Sequence, residues 1–457
     1  MESIAVSESL LTDIGLDKLA NYNTLFVGFS GGLDSTVLLH RLASESTLVG
    51  KLQAVHVHHG LSVNAGAWQS HCQRFCEALG VPLVVRQVDI TGHANIEECA
   101  RLARYQVFTS LLTANDGLLL AHHEDDQAET LLLQLFRGAG IDGLAAMLDV
   151  NVLPKGELVR PFLQYSRQTL EAYANQQKLT WITDESNQNI AFSRNFLRQK
   201  IIPLLQEKWP AVSTNLARTA LHCQRAKSNL EALAKKDCIE LRDGAQDSLE
   251  MSTLTRLSHP RLANVLRLWL QNNDIRLPSD TILNRVIHEV VLARLDATPM
   301  VQWGGTAVRR YQQRLYLLKN EMTPRFDRID WSEFPAALQL EPGAKEGLYL
   351  QAIPAVQGLH VPIDRHVQVR FRQGGELFSW RGQTKRLKKL FQEWQVPPWQ
   401  RDLIPLLYID NDLAAVVGHA IGDPFYSTNA DHTYHIEINT FRSLKKGDLF
   451  SKGGSLE

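Results

Sequence analysis

The sequence predicts an α/β chain: a doubly wound parallel sheet in an N-terminal domain, then a small mostly helical domain and a small α+β C-terminal domain. Three observations predict this. Apolar strand-like runs alternate with helical patterns between Thr24 and Arg137, the signature of βαβ units. A Ser/Gly turn, Ser30-Gly31-Gly32-Leu33-Asp34-Ser35, joins the first strand to its helix. Beyond Trp209-Pro210 the pattern turns to helix rich in Ala, Leu and Lys, and later to period-two runs such as Val367–Arg372. A chain of 457 residues is too long for one ordinary core. The expected domains are residues 1–215, 216–320 and 321–457.

Residues 1–23 read as an amphipathic helix with Leu10, Leu11, Ile14, Leu16 and Leu19 on a loose apolar stripe. Strands are expected at Thr24–Phe29, Leu52–His59, Val81–Val88 and Gly117–Ala121, with helices after the loop and at about Asn64–Leu79, Asn95–Ala114 and Asp125–Arg137. A further helix is expected at about Arg167–Gln177, flanked by Leu158–Leu163 and Trp181–Asn187. Ser193 can cap a short helix bearing Arg194 and Arg198. The middle domain reads as helix to about Arg242, helices near Arg256–Gln271 and Ser279–Ala293, and a terminal hairpin from Met300–Gly304 and Ala307–Leu318. Residues 321–345, with Pro324, Pro335 and Pro342, suit a linker. In the last domain Val367–Arg372 and Leu413–Ile421 read as strands.

The turn after the first strand carries the chemistry. Two glycines let the backbone turn sharply and approach a ligand, and Ser30, Ser35 and Thr36 surround a helix N-terminus with hydroxyls. Unpaired amides and the positive end of a helix dipole make a phosphate site. This is not GxxxxGK[ST], because no lysine lies near; Asp34 stands there instead, and an acid beside phosphates implies a bridging Mg²⁺.

Ligands of such sheets bind at the carboxyl ends of the strands. There His122-His123-Glu124-Asp125-Asp126-Gln127-Ala128-Glu129-Thr130 crowds three acids, Asp125, Asp126 and Glu129, into the first turns of a helix. Capping alone favours acids there, but their mutual repulsion calls for a cation, either Mg²⁺ or a substrate ammonium. The paired histidines, His58-His59 and His122-His123, are read as cleft residues rather than zinc ligands, since the HExxH spacing fails. Arg101 and Arg104 share a helical face, open either to ion pairs with Glu97 and Glu98 or to phosphate.

Composition narrows the partners. A net charge of −1 gives no global attraction for nucleic acid, so such a partner must meet local basic patches. The densest patch is Lys385, Arg386, Lys388 and Lys389, expected on one short helix and suited to an RNA backbone. Five cysteines, at 72, 76, 99, 223 and 238, form no CxxC pair, which argues against a disulfide framework or zinc ribbon. No run of eighteen apolar residues and no signal-like N-terminus is present, so a cytoplasmic protein with no membrane partner is expected.

The SGGxDS loop, Ser30 to Ser35, resembles that of the N-type ATP pyrophosphatases, the PP-loop ATPase type, which cleave ATP to AMP and pyrophosphate. SGGLDS, the HHG ending of the second strand, ECARLARY, HHEDDQAET, VRPFL and SRNFLR, with FRQGGE and KRLKKLFQEWQVPPWQRDLIPLL later, resemble in order the tRNA(Ile)-lysidine synthase family over nearly the whole chain. The resemblance implies conversion of the wobble cytidine of an isoleucine tRNA to lysidine, with ATP, Mg²⁺ and L-lysine. It places ATP on Ser30, Gly31, Gly32, Leu33, Asp34 and Ser35, and metal on Asp34 and Asp126. Catalytic roles fall to Asp34, Asp125, Asp126, Arg104 and Arg194. Substrate contacts fall to Glu129, Arg101, Asn195 and Arg198, with Lys385, Arg386, Lys388 and Lys389 on the tRNA.

Glu124 departs from the family pattern, where an apolar residue is expected, and adds a negative charge beside the acids. A tRNA thiolation enzyme would show reactive cysteines near the loop or paired CxxC sites, and an amidotransferase synthetase an N-terminal nucleophilic cysteine or a glutaminase domain; the sequence shows none of these. A non-catalytic tRNA-binding protein is the alternative outside enzymes. The sequence allows a homodimer without requiring one.

Overall fold

The computed structural model describes residues 10–11, 13–58, 64–88, 96–244, 246–294, 297, 299–319, 328–340, 346–428 and 432–442. The chain forms two compact units, residues 1–236 and 237–457.

In the first unit the elements run α1 (Asp13–Ala20), β1 (Leu25–Gly28), α2 (Leu33–Ala43), β2 (Leu52–His58), α3 (Ala65–Leu79), β3 (Leu83–Gln87), α4 (Ile96–Leu111), β4 (Gly117–Leu119) and α5 (Glu124–Phe136). They continue with α6 (Ile141–Leu144), β5 (Val150–Val152), β6 (Glu157–Val159), α7 (Arg167–Gln176), α8 (Ser193–Phe196), a π turn (Leu197–Ile201), α9 (Ile202–Lys208) and α10 (Val212–Asp237). The sheet order is β3-β2-β1-β4-β6-β5. Every pairing is parallel except β5 with β6, so the doubly wound sheet ends in an antiparallel edge strand. The β5–β6 hairpin was not expected from the sequence; its strands are three residues each, too short for a period to register.

Side chains alternate between the two faces of this sheet. Leu25, Val27, Ala54 and Leu119 enter a core with Val37, Leu38 and Leu42 of α2, Cys72 and Cys76 of α3, and Leu170 and Tyr173 of α7. Their neighbours Phe26, Val55, Leu118 and Leu120 face the other way, against Phe108 and Leu112 near α4. Both faces are buried, which is why these strands read as continuous apolar runs. From β1 the chain moves outward to β2 and β3, then returns to place β4 on β1's other side. That reversal opens a crevice beyond the carboxyl ends of β1 and β4.

The expected helix over residues 1–23 is confined to α1 in the described part; residues 1–9 and 12 lie outside it. The domain boundary expected at 215/216 falls within α10.

The second unit has helices at His259–Asn272 and Asp280–Arg285, the latter continuing as a π turn, Val286–Val291. It also contains more strand than the sequence reading allowed. The expected hairpin is three strands, Met300–Trp303, Thr306–Tyr311 and Arg314–Lys319, and Ser248–Glu250 completes a four-stranded antiparallel sheet. The single run read as Ala307–Leu318 folds back at Gln312, whose φ of 50° makes the turn. Of the expected linker, Arg328–Asp330 and Leu338–Gln339 are strands paired to Val367–Arg370 and to Glu346–His360; Pro324 and Pro342 lie outside the described residues. Leu413–Ile421 is two strands, Asp412–Val416 and Ala420–Ile421.

The basic patch is corrected. Lys385 and Arg386 end a strand, Gln383–Arg386, and only Lys388 and Lys389 lie on the following helix, Leu387–Glu393. Leu387 and Leu390 are buried in that unit's core, which turns Lys388 and Lys389 outward. Lys385 Nζ sits 2.9 Å from both Glu393 carboxylate oxygens, so part of the patch is neutralised internally.

Candidate active site

The loop after β1 is built around Gly31. Its φ of +82° favours glycine, and a Cβ there would lie 2.6 Å from Ile182 Cδ1 and 2.9 Å from Cys72 Sγ. The Ile182 amide donates to the Gly31 carbonyl at 2.8 Å, so the segment before α8 straps the loop from outside. Gly32 caps α2 in an ordinary extended conformation and no side chain caps the helix, which leaves its first amides for a ligand. The hydroxyls expected as donors mostly serve the loop itself. Ser35 Oγ donates to the Gly32 carbonyl at 3.0 Å and accepts from the Ser30 amide, while Thr36 Oγ1 donates to the Gly31 carbonyl.

Asp34, in the first turn of α2, is half-buried, and its Oδ1 has no hydrogen-bond partner among the described residues. Burial raises its carboxyl above the usual range, against the lowering effect of His123 and Arg167. Facing it is the N-terminus of α5. His123, buried, places Nε2 3.4 Å from Asp126 Oδ2 and 3.8 Å from Asp34 Oδ2, with Nδ1 3.6 Å from Asp125 Oδ2. The His123 amide donates to Asp126 Oδ2, and the Arg167 amide, opening α7, donates to Asp125 Oδ2 at 2.9 Å. Burial drives His122 down to about 3, so it is neutral.

The acids are relieved by arginine. Arg194 donates through Nε to Glu129 Oε2 at 2.6 Å and through Nη2 to Asp126 Oδ1 at 2.8 Å. Arg198 donates through Nε to Glu129 Oε1 at 2.6 Å and through Nη2 to Asp126 Oδ1 at 2.9 Å. Glu129 is 0 % exposed. Burial would raise the Asp126 carboxyl, but His123, Arg194, His122 and Arg198 together hold it well below the carboxylate range. The repulsion expected to call for a metal or a substrate ammonium is offset in part by these two arginines, while Asp34 Oδ1 has no partner among the described residues.

The remaining candidates divide. Arg104 turns inward; burial lowers its guanidinium, and its Nε has no hydrogen-bond partner among the described residues, a group suited to an incoming anion. Arg101 is exposed, 5.6 Å over the Tyr105 ring. The side chains of Glu97 and Glu98, its alternative partners, lie outside the described residues, as does His59. Asn195 donates to the Asn189 carbonyl at 2.9 Å and shapes the entry to α8. Phe192, not Ser193, is the N-cap of α8. Glu124 accepts from the Thr214 hydroxyl of α10 at 2.7 Å, which takes its charge away from Asp126 and Glu129.

Sequence reasoning missed Arg167 and the central place of His123. Arg167 had one visible signal, its position one residue past Ser166, whose Oγ caps α7.

One cysteine does lie near the loop, because α3 packs Cys72 under Gly31. Burial pushes that thiol up to about 12, so it is not a thiolate nucleophile. Among the described residues no group of three or more His, Cys, Asp or Glu side chains is arranged to hold a metal. Nor is any described helix long and apolar enough to cross a membrane. A cavity of about 920 Å³, lined by Lys18, Tyr22, Asn115, Glu157 and Tyr165 among others, reaches the amino ends of β4 and β6 and contains none of the loop or acid residues.

Known proteins resemble this chain over most of its length. Residues 7–205 match the PP-loop domain family, 249–316 the TilS substrate binding domain and 367–438 the TilS substrate C-terminal domain. A tRNA(Ile)-lysidine synthase of Legionella pneumophila subsp. pneumophila is 51% identical over 95% of this chain and all of its own length. Proteins of the same name from Coxiella burnetii and Escherichia coli O157:H7 are 38% and 40% identical, over 93% and 88% of this chain and 95% and 93% of their own.

Proposed function

The chain belongs to the tRNA(Ile)-lysidine synthase family, and we propose that the crevice between β1 and β4 is where its reaction runs, with the residues below in the stated roles. The enzyme uses ATP to join L-lysine to C2 of the wobble cytidine of tRNA(Ile), releasing AMP and pyrophosphate. The observation that carries the placement is the meeting of an uncapped helix N-terminus, an unpartnered carboxylate oxygen and an acid–arginine cluster at one sheet reversal.

The amides opening α2 bind the polyphosphate of ATP and gain strength as pyrophosphate departs. Asp34 Oδ1 and the remaining lone pair of Asp126 Oδ2 fit a Mg²⁺ ion that would also take phosphate oxygens; Asp126 Oδ1 is already spent on two guanidiniums. Such an ion would neutralise charge between the leaving phosphates. Arg104 meets the α-phosphate region or the cytidine phosphate with its unpaired Nε. The cytosine 2-oxo oxygen attacks the α-phosphorus and pyrophosphate leaves; the neutral ε-amine of lysine then bonds to C2 and AMP leaves with that oxygen.

Glu129 holds Arg194 and Arg198 through their Nε groups, and the two guanidiniums suit an incoming anion, the adenylate phosphate or the lysine carboxylate. Asp125 offers the opposite charge to lysine's α-ammonium. The exposed Arg386, Lys388 and Lys389, in the second unit, grip the tRNA backbone. We place the enzyme in the cytoplasm. Asp34→Asn should abolish pyrophosphate release while tRNA still binds in a filter assay; undiminished release would move the metal and phosphate site elsewhere.

A further inference from the structure

The helical run from Ser193 to Lys208 presents its arginines to the acids and leaves another face unused. Phe192, Phe196, Lys200, Leu204 and Lys208 recur every four residues and are all exposed. Phe192 is 38% exposed, Phe196 44% and Leu204 62%. The π turn Leu197–Ile201, closed by i→i+5 bonds, is wider than an α turn and keeps residues four apart in closer line than a continuous α-helix would. Arg194, between the two phenylalanines in sequence, reaches the other way to Glu129 and Asp126. Neither ring stacks on an aromatic residue, and Lys200 has no ion pair, among the described residues.

We propose that this face is a stacking track for unpaired anticodon-loop nucleotides, with Phe192 and Phe196 taking base faces and Lys200 a phosphate between them. The inference rests on the lysidine-forming reading above. A cytidine that reacts at C2 must leave its stack, and its neighbours then lose their own stacking partners. Aromatic side chains accept any base by its π-face, and lysines beside them follow the backbone. The exposed rings lie one turn from arginines that face the chemistry, and the cations along the same face, Lys200 and Lys208, complement a polyanion rather than a second apolar surface.

The test is steady-state lysidine formation by the full chain, wild type against Phe192→Ala/Phe196→Ala, Phe196→Trp and Lys200→Glu. The double alanine variant should raise KM for tRNA about tenfold or more. Its kcat and KM for ATP should stay within about twofold, and its urea midpoint should fall only slightly, because both rings are partly exposed. Phe196→Trp should keep wild-type KM, and Lys200→Glu should raise it and make its dependence on salt shallower, because one phosphate contact fewer releases fewer counterions. An unchanged KM for tRNA in the double variant overturns the proposal, as does a fall in kcat that tryptophan does not rescue. A concentration-dependent dimer that the double variant loses in sedimentation would assign the face to a second copy and overturn it too. Failure of the wild type to form lysidine at all is a separate result, and counts against the reaction itself.

Discussion

Gly31 is held to glycine both by its backbone and by what surrounds it. Alanine there would stand at φ +82° with its Cβ inside contact of Ile182 and Cys72, whereas the nearest atom to a Cβ on Gly32 is Ser30 Oγ at 3.4 Å. Gly31→Ala should therefore destabilise the first unit by about 1–2 kcal/mol from backbone strain alone and weaken ATP binding. Gly32→Ala should remain near wild-type stability; urea denaturation of both variants checks the contrast. Asp34 makes the opposite kind of prediction. Its raised carboxyl means the folded state binds its proton more tightly than the unfolded chain does, so ionising it costs stability as pH rises above the usual carboxylate value. Asp34→Asn should raise the thermal midpoint of the ligand-free protein even as it removes activity, and a lowered midpoint would contradict this. At this scale the sequence was informative where chemistry is local: the SGGLDS turn named its own glycine, serines and acid. It could not tell that Ser35 and Thr36 donate inward, because the acceptors exist only once the loop has closed.

Between elements, α5 and the α8–α9 run are tied by a pairing that no local pattern carries. Glu129 and Arg198 are 69 residues apart, and each motif alone read as a ligand set. Folding turns the two sets toward each other, so the charges satisfy one another before any substrate arrives. Removing the hub should be worse than removing a spoke. Glu129→Ala leaves two guanidiniums facing a cavity and should cost about 3 kcal/mol, the low end for a broken buried pair because both arginines are partly exposed. Arg198→Ala leaves Glu129 its bond to Arg194 and should cost less; denaturation midpoints in the same buffer rank them. The basic patch shows the converse limit. A run of lysines around Leu387 reads as one helix, yet the strand Gln383–Arg386 pairs with Leu377–Trp380 and claims half of it. Tertiary pairing there overrides a propensity that favours helix.

For the molecule as a whole, the doubly wound architecture was legible because both sheet faces are buried and the apolar runs are long. The short β5–β6 edge and the strands Ser248–Glu250, Arg328–Asp330 and Leu338–Gln339 of the second unit were not, since strands so short owe their form to their neighbours. Burial also sets the acid limit of the fold. His40 and His56 are both lowered by desolvation, so the folded protein holds them neutral while the unfolded chain takes up protons below about pH 6.5. Fewer protons on the folded side means stability falls as pH drops through that value. The thermal midpoint should be lower at pH 5 than at pH 7.5, and His56→Gln should flatten the slope; a midpoint indifferent to pH over this range would contradict the burial of neutral histidine.

The central claim is that one crevice, at the reversal of the sheet, first adenylates a cytidine and then hands it to lysine. Mass spectrometry of tRNA(Ile) incubated with the protein and ATP, first without lysine and then with it, tests this most directly. The account predicts pyrophosphate release and a tRNA heavier by an adenylate in the first step, then loss of AMP and gain of lysine in the second. A tRNA whose mass stays unchanged with both substrates present would contradict it.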